Sequence, residues 1–325
     1  MSKYALLIHG SYFNQWLDEI EKQVNNFKYD FYKVILVSYT SDLEEYKKVL
    51  EKIKIKNLEI VTVKDVLNPG FFNINRQIVT VRAGLEKIDD NAFVFKLRND
   101  QSCDFNKITK YFNGTQIITT NCYTRKDRLY HPSDMLLCAK ADLLKKYYSL
   151  PLFEKTHLMV ELDNIKYCMD NPDAKAIKYC PEIFLCTHYL KLNNWDVKDT
   201  QEDSFNALKK YFIVLNSWNI SFKSKKPRGK YQKSESLILP QYYQIRPFQG
   251  AMIENVTCYS QNEFSGKVIS IKDIFYISFS KFVWFIEEIS TKKKVNKLLK
   301  MFKAVYFRVY KITATAKRRI IQNRI

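Results

Sequence analysis

Between Ala92 and Asp100 an apolar run of strand length, Ala92 to Phe95, continues through Lys96 and Leu97 and stops in Arg98-Asn99-Asp100. A short apolar stretch that ends abruptly in a lone carboxylate is the pattern of a buried strand. Its carboxyl end is where open α/β sheets place their ligand crevice. The neighbouring sequence repeats the strand pattern. Tyr4 to Ile8 and Lys33 to Val37 are short runs rich in β-formers, and Leu58 to Val63 alternates in the same way. Between the second and third, Leu43, Tyr46, Val49, Leu50 and Ile53 recur at three- and four-residue intervals among Glu and Lys, with Ser41 or Asp42 placed to cap. That spacing predicts an amphipathic helix.

The alternation goes on through a helix from about Asn75 to Ile88, the strand Ala92 to Leu97, the strand Gln116 to Thr120 and the strand Met135 to Ala139. Strands and helices alternating in this manner predict an α/β fold, a mostly parallel central sheet flanked by helices on both faces. Helices are expected next over Ala141 to Tyr148, Val160 to Met169 and Pro181 to Leu192, the last opening on a proline that suits a first helical position. The basic, polar stretch from Ser221 to Arg228 reads as a surface loop near a domain boundary, and from Asp273 the chain becomes helical and cationic. The expected division is therefore 1–220 as the main domain, 221–272 as a loop-rich accessory segment and 273–325 as an amphipathic tail.

At 325 residues and 46% hydrophobic, the chain buries one large core, or one core plus a lesser unit. Seven glycines and eight prolines are too few for collagen-like or linker-dominated architectures. The seven cysteines form an odd set without a Cys-x-x-Cys pair, which suggests neither a disulfide framework nor a zinc site and points to a reducing cytoplasm. No apolar stretch approaches the roughly 20 residues a spanning helix needs, so a peripheral rather than integral relation to membranes is expected. Sequences of the form Gly-x-x-x-x-Gly-Lys-Ser/Thr, Gly-x-Gly-x-x-Gly and Gly-x-Ser-x-Gly do not occur. P-loop, dinucleotide and hydrolase-elbow chemistries thus lack the glycines on which each depends.

The formal charge of +19 is concentrated at the end. From Lys292 onward there are 12 Lys and Arg and no Asp or Glu. Val295, Leu298, Leu299, Phe302, Val305, Tyr306 and Val309 form a stripe at helical spacing opposite Lys293, Lys297, Lys300, Arg308 and Lys311. This pattern predicts a helix lying in the interface of an anionic membrane through residues 292–325. A terminal helix packed on the domain with a solvated basic face would give the same pattern. No nucleic-acid motif accompanies the tail, and no nucleic-acid partner is expected.

Five segments stand in order along the chain: the glycine turn His9-Gly10-Ser11, then Asn75-Arg76-Gln77, Lys96-Leu97-Arg98-Asn99-Asp100, His131-Pro132-Ser133-Asp134 and Pro181-Glu182. Together they resemble the WavE lipopolysaccharide-synthesis family of bacterial sugar transferases, over roughly the first two-thirds of the chain. The resemblance implies a GT-A-like fold and transfer of a sugar from a nucleotide-sugar donor to a lipid-linked or oligosaccharide acceptor of lipopolysaccharide, O-antigen or capsule type. It further implies a location at the inner face of the bacterial cytoplasmic membrane. Gly10, Asn75, Arg76, Arg98 and Asp100 would then meet the donor, with Asp100 holding a divalent cation, Mn2+ or Mg2+. Asp134 would serve the acceptor side, and Glu182 would be the general base.

Read without the resemblance, the same residues keep plainer roles. Arg98 and Asp100 suit a strand-end salt bridge, Arg76 a solvated first-turn charge, and Ser133-Asp134 a turn. Glu182 suits a helix-dipole partner, and Glu161 and Asp163 compete with it as bases. A non-catalytic membrane-peripheral scaffold of a glycan-assembly complex is the alternative function.

Overall fold

The expected strands assemble into one seven-stranded sheet. The computed structural model describes residues 3–11, 17–154, 180–224, 258–266 and 271. In chain order its main elements are β1 (Tyr4–His9), α1 (Leu17–Asn25), β2 (Phe31–Tyr39), α2 (Leu43–Leu50), β3 (Leu58–Val63), α3 (Ile74–Leu85), β4 (Phe93–Arg98), β5 (Gln101–Ser102) and α4 (Phe105–Ile108). There follow β6 (Ile117–Thr120), β7 (Leu136–Lys140), α5 (Ala141–Tyr147), α6 (Pro181–Leu192), α7 (Gln201–Tyr211), β8 (Phe212–Leu215), β9 (Lys223–Ser224) and α8 (Gln261–Ser265).

The large sheet has the order β3-β2-β1-β4-β7-β6-β8. Its pairs are parallel except β4–β7 and β6–β7, so β7 alone runs against the other six. The mostly parallel α/β class predicted from the alternation is therefore the observed one. Period-two alternation sorts the core into two layers. Ala5, Leu7, Ile35, Val37 and Val94 face Ile74, Ile78, Val81 and Leu85 of α3 and continue into α5, α6 and α7. Leu6, Ile8, Val34, Leu36, Phe95 and Leu97 face the opposite way, onto Ile20 of α1, Tyr46 of α2 and Phe105 and Ile108 of α4.

α3 lies close on the sheet because Gly84 has no side chain. A Cβ there would stand 2.2 Å from Leu7 Cδ1 and 2.8 Å from Val37 Cγ2.

Most strand ends move by one or two residues, as where Lys33–Val37 becomes Phe31–Tyr39, and two helices end early. The amphipathic helix after β2 stops at Leu50, although Ile53 beyond it is still buried, and α3 ends at Leu85 rather than Ile88. The stretch read as a surface loop contains a strand: Lys223 and Ser224 pair antiparallel with Ser102 and Gln101. Two-residue strands carry too few side chains to show a period. The expected helix Val160–Met169, with Glu161 and Asp163, and the cationic tail lie outside the described residues. No helix among the described residues is long and apolar enough to cross a membrane.

Reversal of β7 positions the site. Leu97 pairs with Leu136, so the amino end of β7 lies beside the carboxyl end of β4. What precedes β7, His131 to Asp134, thereby meets what ends β4, Arg98 to Asp100.

Candidate functional site

A row of charge occupies this edge. Lys96 is fully buried inside β4, donates from Nζ to the Asp134 carbonyl at 2.6 Å and stands 5.9 Å from the centroid of the Tyr148 ring. Burial lowers its pKa to about 8, against the pull of Asp134. Two residues on, Arg98 Nε and Nη2 donate to the two oxygens of Asp100 at 2.9 and 2.5 Å. Burial works against the Arg98 charge, but Asp100 and then Asp134 more than restore it.

Glu182 stands in the first turn of α6, whose start is set by Pro181. Burial, and then the nearby Asp134, raise the Glu182 carboxyl to about 8, while Arg128 and Arg125 pull the other way. A carboxyl group so placed exchanges its proton near neutral pH.

His131 adjoins Glu182. Its Nδ1 donates to the Tyr123 carbonyl at 2.9 Å, which directs the Nε2 lone pair toward Glu182 Oε2, 3.8 Å away. Burial, with Arg125 and Arg128 nearby, keeps the imidazole neutral.

Four expected site residues are thus brought together: Arg98, Asp100, Asp134 and Glu182. Gly10 adjoins them at the end of β1, with φ of +129°; a Cβ there would stand 2.9 Å from Asn99 Oδ1. Asn99 donates to the Ser11 carbonyl and to Tyr46 Oη at 2.8 Å, tying this turn to α2.

The Asn-Arg-Gln segment is engaged by the chain itself. Asn75 donates to the carbonyls of Asn68 and Phe153 at 3.0 and 2.8 Å and accepts from the Phe153 amide at 2.6 Å. Arg76 forks Asp65 at 2.8 and 2.5 Å on the surface. Gln77 donates to Tyr148 Oη at 3.1 Å, behind Lys96.

Asp100, expected to hold Mn2+ or Mg2+, is disposed otherwise. Both of its oxygens face the Arg98 guanidinium, and Lys96 adds a further charge that opposes a cation. Among the described residues, His131, Cys180 and Glu182 form a donor cluster, with one ligand atom from each all within 4.8 Å of one another. The sulfur donor does not suit Mg2+ or Mn2+, the imidazole nitrogen does not suit Mg2+, and Arg125 and Arg128 oppose a divalent ion there. The residues present do not fit the expected cation, and no step is derived through one.

Sequence reasoning left three groups of this edge without a role. Lys96 had a signal, a lysine inside an apolar run. His9 also reports burial: its Nδ1 lies 3.1 Å from Thr80 Oγ1, which itself donates to the Arg76 carbonyl, and its Nε2 is buried without a partner. Burial, then Lys96 and Arg98, hold His9 neutral. Arg125 and Arg128 lie on an irregular loop whose approach to Glu182 no local pattern encodes.

No family model matches the chain, and no curated protein matches it. Solved structures similar to it include 4-diphosphocytidyl-2C-methyl-D-erythritol synthase from Anaerococcus prevotii, with 12% identity, 75% of this chain and 97% of that chain covered, and a TM-score of 0.39. Mouse xyloside xylosyltransferase 1 is 10% identical over 74% of this chain and 93% of its own, with a TM-score of 0.33. The glycosyltransferase GlyE of Streptococcus pneumoniae is 12% identical over 66% of this chain and 45% of its own, with a TM-score of 0.34. At these scores the likeness is one of general outline.

Proposed function

We propose that the chain is a GT-A-like glycosyltransferase that moves a sugar from a nucleotide-sugar donor to a surface-glycan acceptor. One observation carries the reading: two carboxyl groups, Asp134 and Glu182, stand beside buried Lys96 and partly exposed Arg98 at the carboxyl edge of β4, and burial raises Glu182 to about 8. In an inverting transfer the acceptor hydroxyl oxygen attacks the anomeric carbon while the bond from that carbon to the diphosphate oxygen breaks. Glu182, once ionised, takes the hydroxyl proton. Lys96 and Arg98 meet the charge of the leaving nucleoside diphosphate, since guanidinium matches phosphate oxygens in geometry. Asp134, whose carbonyl is held by Lys96, orients the acceptor hydroxyl.

The ordered motifs favour an acceptor of the WavE kind, a lipopolysaccharide, O-antigen or capsule precursor. The cationic stripe of residues 292–325 would bring the enzyme to the anionic membrane surface where such lipid-linked acceptors lie.

Thermal shift with a panel of nucleotide sugars tests the reading. A bound donor raises the melting temperature by mass action. The expected result is a rise with one nucleotide class that persists in EDTA and is lost in Arg98→Gln. Failure of every donor to bind would overturn the reading. Normal glycan output from a strain carrying Glu182→Gln would instead favour the scaffold.

A further inference from the structure

Five arginines fall among the described residues, and four have partners. Arg76, Arg98 and Arg125 each fork a carboxylate, from Asp65, Asp100 and Asp127, and Arg82 donates to the carbonyls of Tyr148 and Leu150. Arg128 makes no hydrogen bond or ion pair among the described residues, and its Nε is buried without a partner. The charged groups that bear on it are Arg125, Asp127 and Glu182, with Cys180 also near. Asp127 is committed to Arg125. Burial and Asp134 raise the Glu182 carboxyl to about 8, so near neutral pH it is mostly protonated and offers little counter-charge. A partly buried guanidinium beside a second guanidinium is therefore held with no counter-charge of its own, a costly arrangement unless a ligand completes it.

The loop that holds Arg128 is fixed at both ends, so its backbone is placed before any ligand arrives. Thr124 Oγ1 donates to the Thr120 carbonyl at 2.7 Å, the Arg125 amide to the His131 carbonyl at 3.0 Å, and the Tyr130 amide to Ser204 Oγ at 2.7 Å. From across the chain, the Tyr259 amide donates to the Thr124 carbonyl at 2.9 Å.

Position decides what the ligand is. Asp134 acts on Lys96 and Arg98 on one side and on Glu182 on the other, and the loop of Arg125 and Arg128 reaches the far side of Glu182, its Arg125 amide bonded to the His131 carbonyl and the His131 Nε2 standing 3.8 Å from Glu182 Oε2. If the donor diphosphate takes the first pair and Glu182 receives the acceptor's proton, the second pair adjoins the acceptor. Resting on the transferase reading given above, we infer that Arg128 binds an anionic group, a carboxylate or a phosphate, carried by the acceptor glycan. The acceptor is thus an acidic saccharide, and Arg128 determines that specificity.

The test uses the full-length protein with arginine Nε–Hε NMR, the Arg128 signal being assigned by its loss in Arg128→Gln. Titration with methyl glucuronoside, inorganic phosphate, methyl glucoside and sodium chloride separates carboxylate, phosphate, neutral sugar and simple salt. A saturable shift of the Arg128 signal with glucuronoside or phosphate, and none with glucoside or chloride, is expected. Arg128→Gln should weaken that binding about tenfold or more, the worth of one charge-assisted pair. Arg128→Lys, which keeps the charge and loses the fork, should fall between. An Arg128 signal indifferent to both anions, a response equal to that of chloride, or wild-type affinity in a folded Arg128→Gln protein would overturn the inference. Donor binding, followed separately by thermal shift, should be the same in wild type and Arg128→Gln. Its absence from wild type would sink the transferase reading, whereas its presence beside an indifferent Arg128 would sink only the acidic acceptor.

Discussion

The amino end of α3 and the carboxyl edge of β4 look alike in the sequence, each a short polar motif next to an apolar element, yet the chain treats them in opposite ways. At the start of α3 each of the three polar side chains has a protein partner: Asn75 clamps Phe153 and Asn68, Arg76 forks Asp65, and Gln77 reaches Tyr148. At β4, α6 and the loop before β7, charge stays poised: burial brings Lys96 and Glu182 both to about 8, and the Arg128 Nε has no partner. On the proposed reading the α3 motif serves architecture, while the β4 edge, with Glu182 held protonated by burial and Arg128 unpartnered beside it, is the one that meets a ligand.

The largest effect that separates the two regions should be on catalysis. Glu182→Gln is isosteric and should lower transfer by about 10²–10⁴-fold, the usual worth of a positioned base, with the far-ultraviolet circular dichroism of wild type. A variant that keeps full turnover would move Glu182 to the architectural class. Next in size, Asp100→Asn strips the counter-charge from Arg98, whose side chain is 25% exposed against 7% for Asp100. Loss of one partner from a buried pair costs about 3–5 kcal/mol, and the partial exposure of Arg98 reduces this to about 2–3 kcal/mol in urea unfolding.

A purely structural comparison comes third. Gly84→Ala forces a methyl group into Leu7 and Val37 and should cost about 1–3 kcal/mol of stability by overpacking, with donor binding unchanged. Smallest is Arg76→Gln, which breaks a pair whose side chains are 38% and 44% exposed. A change within about 1 kcal/mol and near-normal turnover are expected. A large loss of donor affinity in that variant would return the α3 terminus to the ligand-facing class.

Much of the fold was legible because local periodicity encodes burial. Leu58–Val63 and Pro181–Leu192 match their predicted bounds, one through alternation and the other through a proline start. α7 and β8 were passed over because Gln201–Tyr211 runs directly into Phe212–Leu215, with no turn residue between them to punctuate the sequence. In the site, Arg98, Asp100, Asp134 and Glu182 were legible as motifs. Their joint placement follows from the reversed β7, which no local pattern signals. Likewise, whether Asp100 faces a cation or Arg98 is decided by side-chain geometry across two residues, and the sequence left both readings open.

The state of Glu182 is the centre of the account, and carboxyl carbon-13 NMR of the full-length protein reads it directly, with Glu182→Gln identifying the signal. A midpoint near 8 is expected. Because the folded protein then holds this proton more tightly than the unfolded chain, wild type should lose stability relative to Glu182→Gln as pH rises from the ordinary carboxylate range to about 8, with no further change above. A midpoint between 4 and 5, in the usual range for glutamate, would contradict the account.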